Sequence, residues 1–524
     1  MMHTAVPLER LGAAQLADAI ASGACTSREA VDACIARIEA VNPALNALVV
    51  ERFAAARAEA DQADAAQRAG APRGPLHGVP VTIKEQFQVD GMPATLGVPG
   101  AVRDTGDGPL VARLRAAGAI VLGKTNVPQL LLYNETDNPV YGRSVNPWNA
   151  ERAPGGSSGG EAAIIAACGS PLGLGSDIGG SLRCPAHACG IVALKPTSWR
   201  LTNEDARPAA FANGQIAIIS QPGPMARRVE DLTLAMRVLA APGQERLDPA
   251  VPPVPLGDPA GVPIVGMRIG VYDDDGFFPA SPAVRRAVRE AADALAARGA
   301  QIVPFAPPDV AGAMALFFGI LSADGATAAV RRLGGGPRDR RITSLVQAAQ
   351  LPSALRPLVA ALLAASGQRR LASTVRAIAR VSTDRFWTLV ERQAAYRRRF
   401  VADLDRAGID ALLCPPHALP ALTHGSSYYL SSAASYAMLY NLLGMPAGAV
   451  PITRVRADEA TPRAAGRDLI DRAAATVETG SAGLPIAVQV VARHWREDVV
   501  LAVMAALEDA VRDAPERPQL PPPG

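Results

Sequence analysis

PGGSSGGEAAIIAACGSPLGLGSDIGGSLRCPAHACGIVALKPT, residues 154–197, combines two textures that pull in opposite directions. A flexible Gly/Ser linker carries few aliphatic side chains, because a chain with little apolar surface to bury has nothing to order it. Here 162–167 and 191–194 are apolar blocks set among the glycines. The glycines are therefore expected to supply unusual backbone angles inside a packed structure. Rigid turns that hold Ser157, Ser158 and Ser181 at fixed points are the kind of scaffold that catalysis uses.

Upstream of this stretch, residues 8–70 carry helical periodicity (Leu11, Leu16, Ile20, then 30–38 and 53–66), with Thr26 or Ser27 ahead of Glu29 as a helix start. From Pro75 the pattern changes to short β-branched runs at 79–83 and 119–122, separated by Gly/Pro turns and a helix at 110–117. Downstream, a proline-rich connection at 248–263 precedes strand, helix and strand at 267–271, 283–297 and 301–305. Residues 308–405 are almost wholly helical in pattern, strands return at 410–413, 447–452 and 486–491, and a last helix lies near 499–511. Alternating strands and helices predict an α/β sheet. The expected organisation is a helical lead-in over 1–70, one catalytic domain over 71–514 with a helical insertion at 308–400, and a frayed proline-dense tail at 515–524.

Composition narrows the function. With 524 residues, 49% of them hydrophobic and 19% charged, the chain has material for a large core and is not disordered. A net charge of +3 over this length gives no basis for nucleic-acid binding. Six cysteines are too few for a disulfide framework, and residues 1–24 carry Glu9, Arg10 and Asp18 where a signal peptide needs an apolar stretch. No run reaches the roughly 18 apolar residues of a membrane span. A cytoplasmic, reduced protein is expected, with any membrane contact peripheral.

Three motifs are decoys. Residues 118–125 satisfy the phosphate-loop pattern GxxxxGK[ST], but the four variable residues are Ala-Ile-Val-Leu, themselves a strand, so Lys124 ends a strand instead of cradling phosphates. Residues 155–159 match GxSxG, which needs a buried strand before it and a downstream Asp and His. What precedes it is the loop 146–154, and His187, His417, His424 and His494 stand in no telling context. Cys184, His187 and Cys189 fall short of the four ligands of a structural zinc site, so core or pocket-wall packing is the expected reading and no metal is assigned.

Read together, the 154–197 run and the upstream 77–85 segment HGVPVTIKE resemble the amidase signature family of serine hydrolases. GGSSGGEAA, GSPLGLGSDIGGS and ALKPT stand contiguous and in order, and the resemblance extends to 123–129, 146–148, 221–227 and 483–489. Within the family, 84–87, 95–97, 435–441 and 446–450 are most similar to fatty acid amide hydrolases. The resemblance implies a single α/β/α domain around a mixed, mostly parallel sheet, and a Ser/Ser/Lys triad: Ser181 as nucleophile, Ser157 as proton bridge after a cis peptide, and Lys84 as base. It implies no cofactor. The residues themselves agree, because a lysine buried at the end of the 79–83 strand loses its charged form more readily than one in water. Two glycines before Ser181 let the amides of Ile178, Gly179, Gly180 and Ser181 converge as an oxyanion hole. Asp177 and Arg183 are expected to pair and hold this loop, and Ser158 to support Ser157 by hydrogen bonding.

Departures from the family are Cys168, Cys184 and Ala193. Cys184, three residues past Ser181, is expected to shape the pocket or make the site thiol-sensitive. Leu130, Leu131 and Leu132 fall where the resemblance implies an acyl channel, with ordinary core as the other reading. The segment 351–371 is apolar with Arg356, Arg369 and Arg370 at its borders, and lacks Trp, Tyr and Phe. A weak peripheral membrane contact is expected there, or else packing on the core or on a homodimer partner. The function expected is hydrolysis of a small-molecule amide, favouring an amphiphilic N-acyl or fatty amide. The alternatives are small aliphatic or aryl amides, a glutaminase-type role in a transamidation complex, a nucleotide hydrolase and an inactive scaffold.

Overall fold

The structure, a computed structural model, describes residues 6–72, 74–100, 102–204, 214–518 and 521, so the last residues of the expected 515–524 tail lie outside it. Eleven strands form one sheet: β1 (Leu48–Glu51), β2 (Pro80–Lys84), β3 (Ile120–Thr125), β4 (Leu172–Asp177), β5 (Val192–Lys195), β6 (Gln221–Ala226), β7 (Arg268–Val271), β8 (Gln301–Pro304), β9 (Ala411–Cys414), β10 (Ala447–Arg454) and β11 (Pro485–Ala492). Their spatial order is β1-β3-β2-β4-β6-β5-β10-β11-β9-β7-β8. Strands from β2 to β11 along this order are buried almost throughout, as a sheet covered on both faces requires. The α/β class and the mixed sheet agree with the sequence reading.

The expected parallel majority does not hold. Among the described residues six pairings in this sheet are antiparallel and four parallel. The excess arises because β6 runs antiparallel between β4 and β5, and β10 and β11 form an antiparallel pair at the centre. The lead-in also differs from expectation, since its residues 48–51 form β1 and close one sheet edge against β3.

Two strands have unlikely compositions for their central place. β4 reads LGLGSD, and a Cβ on Gly173 would lie 1.9 Å from Glu161 Oε1. β6 reads QPGPMA, and a Cβ on Gly223 would lie 2.1 Å from the Leu194 carbonyl oxygen. Close approach, not strand propensity, selects these glycines. β3 includes Gly123-Lys124-Thr125, and Lys124 is buried, donating to the Pro93 carbonyl at 2.7 Å and lying 3.5 Å from Asp104, so the phosphate-loop pattern is a strand.

The insertion consists of helices Val310–Leu321, Thr327–Leu333, Arg340–Gln350, Arg356–Ala365, Arg369–Ala377 and Thr383–Ala407. Arg356, expected at a membrane border, is instead buried and donates to carbonyls of Ala348, Leu351, Val375 and Ile378, collecting the C-terminal ends of two neighbouring helices. Arg370 also turns inward, 2.5 Å from Asp471 and over the Phe278 ring. No helix among the described residues is long and apolar enough to cross a membrane.

Candidate active site

β2 and β4 are parallel neighbours, with Thr82 beside Gly173 and Ile83 beside Leu174, so Lys84 and Asp177 end adjacent strands on the same side of the sheet. Ser157 comes to this edge from the loop ahead of helix Gly159–Ala166, and Ser181 from the turn between β4 and helix Arg183–Cys189. Carboxyl ends of neighbouring strands followed by helix N-termini are where open α/β sheets place their sites.

Lys84 Nζ lies 2.8 Å from Ser157 Oγ, 3.0 Å from Ser176 Oγ and 3.4 Å from the Ser176 carbonyl oxygen. The Gly156–Ser157 peptide is cis. Exposure grows along the set, from 0% at Lys84 to 2% at Ser157 and 7% at Ser181, so Ser181 is the most accessible of the three. Burial pushes the Lys84 ammonium down from 10.5 to about 7, against the opposing pull of the Asp177 and Glu161 carboxylates. Glu161 is itself buried and pushed up to about 7, although it accepts hydrogen bonds from the Thr82 and Thr125 hydroxyls.

The Ser181 turn is held by one carboxylate. Asp177 accepts from the N–H groups of Gly180 at 2.7 Å and Leu182 at 3.1 Å, and forms a forked ion pair with Arg183 at 2.9 and 3.0 Å. Burial opposes the charge on Asp177, but the Arg183 guanidinium outweighs it and holds the carboxyl well below its usual range. Arg183 continues to Gln489 at 2.5 Å and Asn441 at 2.7 Å, tying the turn to β11 and to helix Ser435–Leu443. Gly180 is thus already committed to Asp177, while the N–H groups of Ile178, Gly179 and Ser181 meet no protein acceptor among the described residues.

Ser158 does not support Ser157 in the way expected. Its hydroxyl donates to the Ser176 carbonyl at 3.4 Å, and its N–H donates to the Ser181 carbonyl at 3.2 Å, so it links the two serine turns through the backbone. Leu130 is buried with Val98 and with Ala326, Leu333 and Ile342 of the insertion, Leu131 packs on Leu96 and Val127, and Leu132 is partly buried beside the first group. Cys184 is buried beside Gly180, where a Cβ would come within 2.6 Å of its Sγ, and burial raises its thiol to about 12. It packs against the Ser181 turn, and its burial disfavours the thiolate on which the expected thiol sensitivity depends. His187 in the former zinc candidate pairs with the Leu419 carbonyl and the Ala487 N–H.

Sequence reasoning missed Ser176, Gln86 and Glu161, which surround Lys84, and Phe317 and Met438, which a Cβ on Gly179 would approach at 3.2 and 3.7 Å. The first three lie within the quoted motifs. The last two come from distant helices; Met438 lies in the 435–441 stretch singled out above, but nothing in the sequence ties either residue to Gly179.

Residues 29–501 match the family described as Amidase. The chain belongs to the amidase family. It is 37% identical over 454 residues to fatty-acid amide hydrolase 1 of Sus scrofa, covering 84% of this chain and 77% of that one. One component of the glutamyl-tRNA(Gln) amidotransferase of Roseiflexus castenholzii is 38% identical over 334 residues, covering 63% of this chain and 66% of that one. A solved fatty acid amide hydrolase superposes with a TM-score of 0.82 at 24% identity over 96% of this chain and 85% of that one, which establishes the shared fold. Like other amidases, this chain is an amide hydrolase.

Proposed function

We propose that this amidase hydrolyses an amphiphilic N-acyl or fatty amide through an acyl-enzyme on Ser181. The observation that carries the reading is a lysine amine poised near neutrality 2.8 Å from Ser157 Oγ. Neutral Lys84 takes the Ser157 proton while Ser157 takes that of Ser181, and Ser181 Oγ bonds to the substrate carbonyl carbon. The oxyanion that forms is met by the open N–H groups of Ile178, Gly179 and Ser181. The carbon–nitrogen bond then breaks as the proton returns from Lys84 through Ser157 to the departing nitrogen. Water, deprotonated along the same path, releases the acid.

The substrate class rests on the likeness to the Sus scrofa relative and on the Phe317 and Met438 side chains facing Gly179. The match to that hydrolase spans more of both chains than the match to the amidotransferase component, which favours hydrolysis over transamidation. The reading includes a peripheral lipid contact at 351–371: Leu355, Leu358 and Leu362 stand 50%, 59% and 62% exposed along one helix, near exposed Arg369 and Arg376. A fluorophosphonate probe should modify Ser181, mapped by mass spectrometry, and kcat/KM should rise along a series of amides of increasing acyl length. An adduct on Ser157 alone refutes the nucleophile, and a decline with chain length refutes the substrate class.

A further inference from the structure

A neutral lysine amine has two N–H bonds and one lone pair, and only the lone pair can accept a proton. Around Lys84 Nζ three oxygens compete: Ser157 Oγ at 2.8 Å, Ser176 Oγ at 3.0 Å and the Ser176 carbonyl at 3.4 Å. The carbonyl can only accept. Each hydroxyl can donate or accept, so the direction of the Ser176 O–H decides whether Ser157 or Ser176 occupies the lone pair.

Gln86 settles this direction. Its side-chain oxygen lies 2.5 Å from Ser176 Oγ, a separation found for O–H···O bonds and too short for an amide N–H donor, so the carbonyl end of the side chain faces Ser176. An amide oxygen accepts only. The Ser176 proton is therefore committed to Gln86, and Ser176 Oγ is left to accept from Lys84. Gln86 and Ser176 are each only 1% exposed, so bulk solvent offers the Ser176 hydroxyl no replacement acceptor.

We propose that Gln86 is a positioning residue that, through Ser176, aims the Lys84 lone pair at Ser157. The inference rests on Lys84 acting as the base. With both N–H bonds taken up by Ser176, the one remaining site on the amine is the one that receives the Ser157 proton. Without Gln86, the Ser176 hydroxyl is free to rotate, donate to the lone pair and block it in part of the population.

The test is kinetic, on the full-length enzyme with an N-acyl amide and full pH profiles. Gln86→Leu should lower kcat about tenfold with KM nearly unchanged, less than the roughly 100-fold or more expected for a side chain that itself carries the proton. Gln86→Glu retains an acceptor for Ser176, so its kcat should recover at high pH, while the added carboxylate moves the acid limb upward. Because Gln86 acts through Ser176, Gln86→Leu should cost little on top of Ser176→Ala. Wild-type kcat in Gln86→Leu, or independent losses in the double variant, overturns the inference. If Gln86→Leu does not fold, Gln86→Glu decides alone: an unshifted acid limb overturns it. Lys84→Ala separates the two readings, because high activity in that variant removes the base itself, whereas an inactive Lys84→Ala beside a wild-type-like Gln86→Leu removes only the role of Gln86.

Discussion

With Lys84 as the proposed base, its protonation sets the pH response expected of the site. Its pKa is lowered from 10.5 to about 7, so the amine is protonated and unable to accept below that pH and free above it. The kcat/KM of the wild-type enzyme should therefore rise through a one-proton limb near pH 7 and level off above it; a flat profile between pH 5.5 and 8 contradicts a lysine base. Lys84→Ala should lower kcat by about 100-fold or more at pH 7, in the range for removal of a general base, with partial recovery at high pH where hydroxide substitutes. Gly156 makes a second prediction. A Cβ there would stand 2.6 to 2.9 Å from the backbone of Tyr133 and Glu135, which has no freedom to yield. Gly156→Ala should cost about 1–3 kcal/mol of stability and displace Ser157, visible as a lower melting midpoint together with a kcat loss exceeding tenfold. The serines and the lysine were legible because glycine-framed motifs mark them. Ser176 and Gln86 were not, because their part depends on which way a proton points, and no spacing encodes that.

At the scale of elements, β2, β3, β7 to β11 and the long helices could be read from periodicity, while the edge strand β1, inside the helical lead-in, and the interior strands β4 and β6 could not. LGLGSD and QPGPMA lack the β-branched residues that announce a strand, since their backbones approach Glu161 and Leu194 too closely for side chains. The insertion was legible as helical but not in its orientation. Inward-turned Arg356 and Arg370 remove two of the three cations expected at its border, and the exposed side of helix Arg356–Ala365 keeps its leucine stripe. Leu358→Asp/Leu362→Asp should therefore lose flotation with anionic liposomes several-fold while leaving kcat on a short soluble amide unchanged. Equal flotation of both proteins contradicts the lipid contact, and a change in mass by light scattering instead assigns the stripe to a second copy of the chain.

Across the whole molecule, the buried ionisable groups oppose each other about neutrality. Glu161 and Asp231 are pushed up to about 7 by burial, so the folded chain binds more protons than the unfolded one between their ordinary values and pH 7, and their contribution to stability falls as pH rises through that window. Lys84 and Lys195 are pushed down to about 7, also by burial, so between pH 7 and 10.5 the unfolded chain binds more protons and stability rises with pH. For Lys84 that cost accompanies the base role proposed above. Lys195, at the end of β5, is fully buried and among the described residues donates only to the adjacent Pro196 carbonyl at 2.8 Å, with Arg183 close enough to disfavour its charge further. Its penalty is full below pH 7 and shrinks by about 1.4 kcal/mol for each pH unit above it. Lys195→Met retains the side-chain length without the charge, so it should raise the melting midpoint at pH 6 and do so markedly less at pH 9. An equal shift at both values would mean that Lys195 is not carried into the folded interior as a charge, and the pH dependence of stability would then rest on the two carboxyls and Lys84.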